Sequence, residues 1–289
     1  MDERGQGTVE WVGLLAVVAL LFLGLVTAGV RVPGADLARG VASRLLCAAA
    51  LADRCGDEPT LIAAYGSEVG KLVREHMPTL FLEHGSRALP VDFRRCRSTE
   101  CADGSARGLV HETDAGLPVT AFVHAIERGG YLYIQYWLYY ADSATLRGVP
   151  IAGPAGYHRD DWEAVQIRIG PDGQVDERAT SHHGYNYVQS VANAGSDMGS
   201  GPLNAAAEAV GARPRGGWGP ETRLLLVSGG SHAGNADGFL RIDRVVPGRR
   251  VHLVPLEPIA EGEGDAYRFA IVPPWRKRVW RDPEAGGTD

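Results

Sequence analysis

From Thr120 onward the apolar residues of this chain recur at every second position rather than every third or fourth, and that change of period fixes the class of fold. Thr120 to Glu127, Tyr131 to Tyr140 and Trp162 to Ile169 read as strands, and Pro171-Asp172-Gly173 as a hairpin turn. Thr222 to Ser228, Val251 to Glu257 and Arg268 to Val272 add three more, with a short helical piece at Ala205 to Val210. Before Thr120 the period is helical. Asp36 is placed to cap a helix carrying Leu37, Val41 and Leu45, and a second helix runs from Pro59 to His76. Its stripe is Leu61, Ile62, Tyr65, Val69, Leu72 and Val73, and Pro78 ends it. The expected class is α+β, mostly β: an N-terminal transmembrane helix, a short helical neck, then an antiparallel β-sandwich with peripheral helices. The expected boundaries are 1–32, 33–77, 78–281 and a disordered tail over 282–289.

Trp11 to Val30 contains no charged residue over 20 positions. At ~1.5 Å per residue such a helix spans a hydrocarbon core of ~30 Å. A cleaved secretory signal is the alternative, with Thr27-Ala28-Gly29 as its small-residue site. Both readings put the rest of the chain outside the cytoplasmic membrane of a bacterium, as a single-pass protein if the segment is retained. A formal net charge of −6 argues against a nucleic-acid partner. The four cysteines, Cys47, Cys55, Cys96 and Cys101, are an even set in an exported region, so disulfides are expected. Cys47 with Cys55 and Cys96 with Cys101 is the local choice among three connectivities; structural zinc is the rival, but the spacings do not match a C-x2-C knuckle.

The residues ahead of the apolar span, Glu3 to Trp11, resemble the type III prepilin leader of Flp pilins and TadE-like pseudopilins. That resemblance implies cleavage after Gly5, with Glu10 at the fifth mature position and Trp11 following it, and assembly into a pilin-like structure as one use of the segment.

The chemistry concentrates in Tyr157-His158-Arg159-Asp160-Asp161-Trp162-Glu163. Alternation puts Asp161 and Glu163 on the face of Val165, Ile167 and Ile169, where two carboxylates must find counter-charge. That counter-charge is either a bound divalent cation or an arginine network. The aromatic strand ending Tyr139-Tyr140, the Asp142-Ser143 step and the H-R-x-D-W-E sequence together resemble the necrosis- and ethylene-inducing-like cytolysins. The resemblance implies metal ligands at Asp142, His158, Asp161 and Glu163. The chain departs from the family heptapeptide at Tyr157, where a glycine is usual, and at Asp160, where a histidine is usual. A second resemblance is to a family likened to vacuolar protein sorting proteins, carried by Asp161-Trp162-Glu163, Tyr136 to Tyr140 and Gly230-Ser231-His232-Ala233.

Three carboxylates and one imidazole make a hard donor set, suited to Mg²⁺, Ca²⁺ or Mn²⁺ rather than zinc. His232, His183 and Asp160 are the candidate supporters of these ligands. Three functions follow. The first is a membrane-anchored, extracytoplasmic module that binds a glycan or lipid headgroup through the cation. The second is a metal-dependent hydrolase with His158, His182 or His232 as acid or base. The third is a pseudopilin-type structural subunit.

Overall fold

The computed structural model describes residue 17 and residues 57–84, 86, 88–96, 117–144, 157–181, 184–186, 218–235 and 241–285. The chain divides into two compact units, Met1–Leu72 and Val73–Asp289. Except for Val17, the apolar span 11–30 lies outside the described residues, as do Gly5, Glu10, Cys47, Cys55 and Cys101. Among the described residues no helix is long and apolar enough to cross a membrane. Cys96 closes a short helix, but its side chain and any bridge it forms lie outside the description.

Helix α1 (Glu58–Glu75) matches the expected stripe, with a break at Gly66, whose φ of 80° is left-handed. β1 (Thr79–Glu83) and α2 (Phe93–Cys96) follow. β2 (Thr120–Arg128) and β3 (Tyr131–Ala144) are joined by Gly129-Gly130, both at positive φ, as a two-residue turn that keeps strand twist requires. β4 (Tyr157–Ile169) returns through Pro171-Asp172-Gly173 to β5 (Val175–Ser181), where Gly173 N–H donates to Gly170 O at 2.9 Å. β6 (Gly184–Asn186), β7 (Gly219–Pro220), β8 (Leu224–Val227), β9 (Gly234–Asn235), β10 (Ile242–Val246), β11 (His252–Pro255) and α3 (Arg278–Arg281) complete the set.

The strands form two sheets. The larger runs β11-β2-β3-β4-β5-β6, with β7 also paired to β5; the smaller runs β10-β1-β8-β9. Neither is purely antiparallel. β1 lies parallel to β8 and β11 parallel to β2, because long connections bring each pair together.

The expected strand Arg268 to Val272 is a further correction: that segment bends at Ala270 and Ile271 and lies outside both sheets. Its alternation is real, since Tyr267, Phe269 and Ile271 pack against one core of Phe93, Phe122, Trp137, Tyr139, Trp162 and Trp275. Ala270 N–H between them donates to the Asp160 carboxylate at 2.7 Å instead of to a strand.

That core covers one face of β2–β5. The opposite face, carrying Tyr136, Leu138 and Tyr140 on β3 and Glu163, Val165 and Ile167 on β4, meets the smaller sheet near β9. There a Cβ on Gly234 would lie 3.2 Å from the Ala179 Cβ and 2.9 Å from Leu225 Cδ1.

Candidate functional site

The ladder between β3 and β4 gathers the acidic residues at one end. Leu138 faces Glu163, Tyr140 faces Asp161, Asp142 faces Arg159 and Ser143 faces His158. The pairing omits Ala141 and Asp160, and there Asp160 adopts a left-handed φ of 58°. Asp tolerates that conformation better than most residues. The register is the same on either side of this point, so the two strands stay in step. Ser143 and Tyr140, three residues apart, both reach the Ser228–Ala233 turn. Ser143 Oγ donates to Gly230 O at 3.3 Å, and the Tyr140 ring stacks on His232 with centroids 3.9 Å apart.

Asp142 and Asp161 are each 1% exposed and Glu163 3%. Asp161 Oδ2 accepts from His232 Nδ1 at 2.9 Å, so its partner is an imidazole rather than an arginine. His232 is itself left-handed, at φ 59°, with that hydrogen bond and the Tyr140 stack on its ring. His158 Nδ1 lies 2.9 Å from Asp160 O. A carbonyl only accepts, so Nδ1 carries the proton and a neutral His158 keeps its acceptor at Nε2, the arrangement that orients a metal-binding imidazole. Asp160 is committed elsewhere: Oδ1 accepts from the Tyr139 hydroxyl and Oδ2 from Ala270 N–H, both at 2.7 Å.

Tyr140, in the sequence only the last aromatic of the strand before Asp142, is a further residue of the site. Its hydroxyl is fully buried and has no hydrogen-bond partner. Burial, then the charges of Glu163 and Asp161, push its phenol well above the ordinary tyrosine range.

The donor set fits a hard cation in its chemistry, with three carboxylates, an oriented imidazole and an unsatisfied phenol. It is not closed: among the described residues, no three His, Cys, Asp or Glu side chains converge to hold a metal ion. Open clefts of about 420 Å³, beside Phe269 and Arg276, and 520 Å³, beside Arg95 and His252, are lined by none of these carboxylates. His182 and His183 lie outside the described residues.

No family model matches the chain, and no curated protein matches it. Solved structures similar to it include "Toxin fold as basis for microbial attack and plant defense", at 17% identity over 74% of this chain and 88% of that one, with a TM-score of 0.41. Another is necrosis and ethylene inducing protein 2 from the causal agent of cocoa's witches' broom disease, at 16% identity over 64% and 73%, with a TM-score of 0.37. A third, "NLPPya in complex with glucosamine", is 13% identical over 65% and 73%, with a TM-score of 0.35.

Proposed function

We propose that the Val73–Asp289 unit is a binding module that holds a divalent cation, Mg²⁺, Ca²⁺ or Mn²⁺, with Asp142, His158, Asp161 and Glu163. Through the cation it takes a polar ligand such as a glycan or lipid headgroup, outside the bacterial membrane to which residues 11–30 tether it. The observation that carries this reading is the burial of Asp142, Asp161 and Glu163 at one end of the β3–β4 ladder, beside a Tyr140 hydroxyl buried without a hydrogen-bond partner. Carboxylates taken out of water in this way favour a cation beside them.

When bound, the cation supplies the positive charge to which ligand hydroxyl or phosphate oxygens attach. His232 holds Asp161 in orientation, Asp160 O fixes the His158 ring, and the Tyr140 ring stacks on His232. Because the ligands are not converged, binding requires their side chains to rotate, which lowers affinity relative to a preformed site. Calorimetric titration of the full chain with each cation tests the proposal. Saturable heat for one cation, lost in Asp161→Ala, is the expected result; silence in the wild type, or equal heat in the variant, would refute it.

A further inference from the structure

On the core-covered face of β2–β5, beyond the aromatic cluster, four polar residues form a single cross-strand row. His124 stands opposite Gln135, Gln135 opposite Gln166 and Gln166 opposite Arg178. All four are buried, beneath a strap formed by the last described residues, 278–285. His124 Nε2 donates to Trp280 O at 3.0 Å while its ring stacks on the Trp280 indole, centroids 3.6 Å apart. Gln135 Nε2 donates to Val279 O at 2.8 Å, and Arg178 donates to Pro283 O.

Every one of these acceptors is a main-chain carbonyl, so this part of the groove reads backbone rather than side chains. The sequence-specific contact is at the end of the strap. Glu284 accepts from the Tyr133 hydroxyl at 2.7 Å and Arg168 at 2.9 Å through one oxygen, and from Trp218 Nε1 at 2.9 Å through the other. Arg168 and Arg178 both stack over Trp218, 4.5 and 4.3 Å from its ring, and this builds a carboxylate pocket.

The strap does not satisfy the whole row. Gln166 Oε1 accepts from Arg178 at 2.8 Å, but Gln166 Nε2 is buried with no partner. Between Val279, which serves Gln135, and Pro283, which serves Arg178, the strap lays no acceptor over it. A buried donor left unmet is costly, and a segment that placed a carbonyl there would be held better than the strap is.

We propose that this face is a docking groove for an acidic peptide segment of a partner protein, one that offers successive main-chain carbonyls across the row and a carboxylate to Tyr133, Arg168 and Trp218. Residues 278–285 occupy the groove in cis and are displaced when the partner binds.

The test uses the full chain and a fluorescent peptide with the sequence of residues 278–289 as probe, read by anisotropy. Two full-length variants loosen the strap and leave the groove intact. Glu284→Gln removes its carboxylate, and Arg128→Ala removes a donor to Arg281 O and a partner of Asp282. Both are expected to bind the probe about tenfold tighter than wild type, while a probe with Gln for Glu284 binds about tenfold weaker. The same change thus acts with opposite sign in the chain and in the probe. The proposal is overturned if neither variant gives saturable binding, or if both probes bind alike. It is equally overturned if light scattering shows a concentration-dependent dimer without probe, which would assign the groove to a second copy of this chain.

Discussion

Replacing Asp160 separates a structural from a metal-supporting role for the left-handed residue at which the β3–β4 pairing is interrupted. In Asp160→Ala two donors lose their acceptor, the buried Tyr139 hydroxyl and the N–H of the exposed Ala270, each held at 2.7 Å. An orphaned buried donor costs about 2 kcal/mol, a lost hydrogen bond that water can replace about 1 kcal/mol, and a non-glycine residue without a helpful side chain at a left-handed φ adds about 1 kcal/mol. The expected loss is therefore about 4 kcal/mol, a large part of the roughly 5–15 kcal/mol that holds a domain of this kind folded. Asp160→Gly relieves the backbone but not the donors, for about 3 kcal/mol. Asp160→Asn tolerates the left-handed φ, accepts from Ala270 N–H and donates to the Tyr139 oxygen, for about 1 kcal/mol. Urea unfolding of the full chain with chelator present measures all three, with the slope checked for constancy. An alanine variant within 1 kcal/mol of wild type, or a glycine variant as mild as the asparagine one, would show that these two bonds do not hold the break in place.

The strap also carries an acid response. Burial pushes the Glu284 carboxyl up, but the Tyr133, Arg168 and Trp218 donors outweigh it and bring the carboxyl below its ordinary range. Its stabilisation is therefore present above the unfolded carboxylate range and fades as pH falls through the lowered value; Glu284→Gln should flatten that acid limb in pH-dependent urea midpoints. Glu177 works the other way. Burial, against hydrogen bonds from Thr222 and Arg223 N–H, leaves its carboxyl raised, so its contribution is full below the ordinary range and lost as pH rises through the raised value. The same series run on Glu177→Gln should lack that loss. Gly248→Ala should cost about 2–4 kcal/mol in thermal or urea unfolding, because its Cβ would fall 2.1 Å from Met77 O and 2.9 Å from Pro78 O, both main-chain atoms.

The two long strands that build the candidate site were legible because their side chains alternate on a half-buried surface, and the shared parity of Glu163 with Val165 and Ile167 followed from that alone. Alternation reports which way side chains face, not whether a ladder forms. That is why Tyr267, Phe269 and Ile271 mimicked a strand while their backbone was hydrogen-bonded to a carboxylate. β5 follows the expected hairpin turn but carries no apolar alternation: Asp176, Glu177 and Arg178 are charged, yet Glu177 and Arg178 are fully buried, satisfied by contacts with Thr222, Arg223, Gln166 and Pro283 from other segments. Asp160 had looked like a helper to the metal ligands because it sits among them in sequence. Its parity is that of Trp162 and Ala164 rather than of Asp161 and Glu163, and that puts its carboxylate on the core face beside Tyr139 and Ala270.

The polar row has a consequence for the order in which the molecule is made. Chains emerge from the ribosome amino end first, and β2 to β5 can pair long before residues 278–285 exist to cover them. Until residues 278–285 emerge, His124, Gln135 and Arg178 face water in place of the carbonyls of Trp280, Val279 and Pro283. A nascent chain in which β2 to β5 have paired but residues 278–285 are still to emerge therefore displays the groove open, and their emergence is the event that closes it.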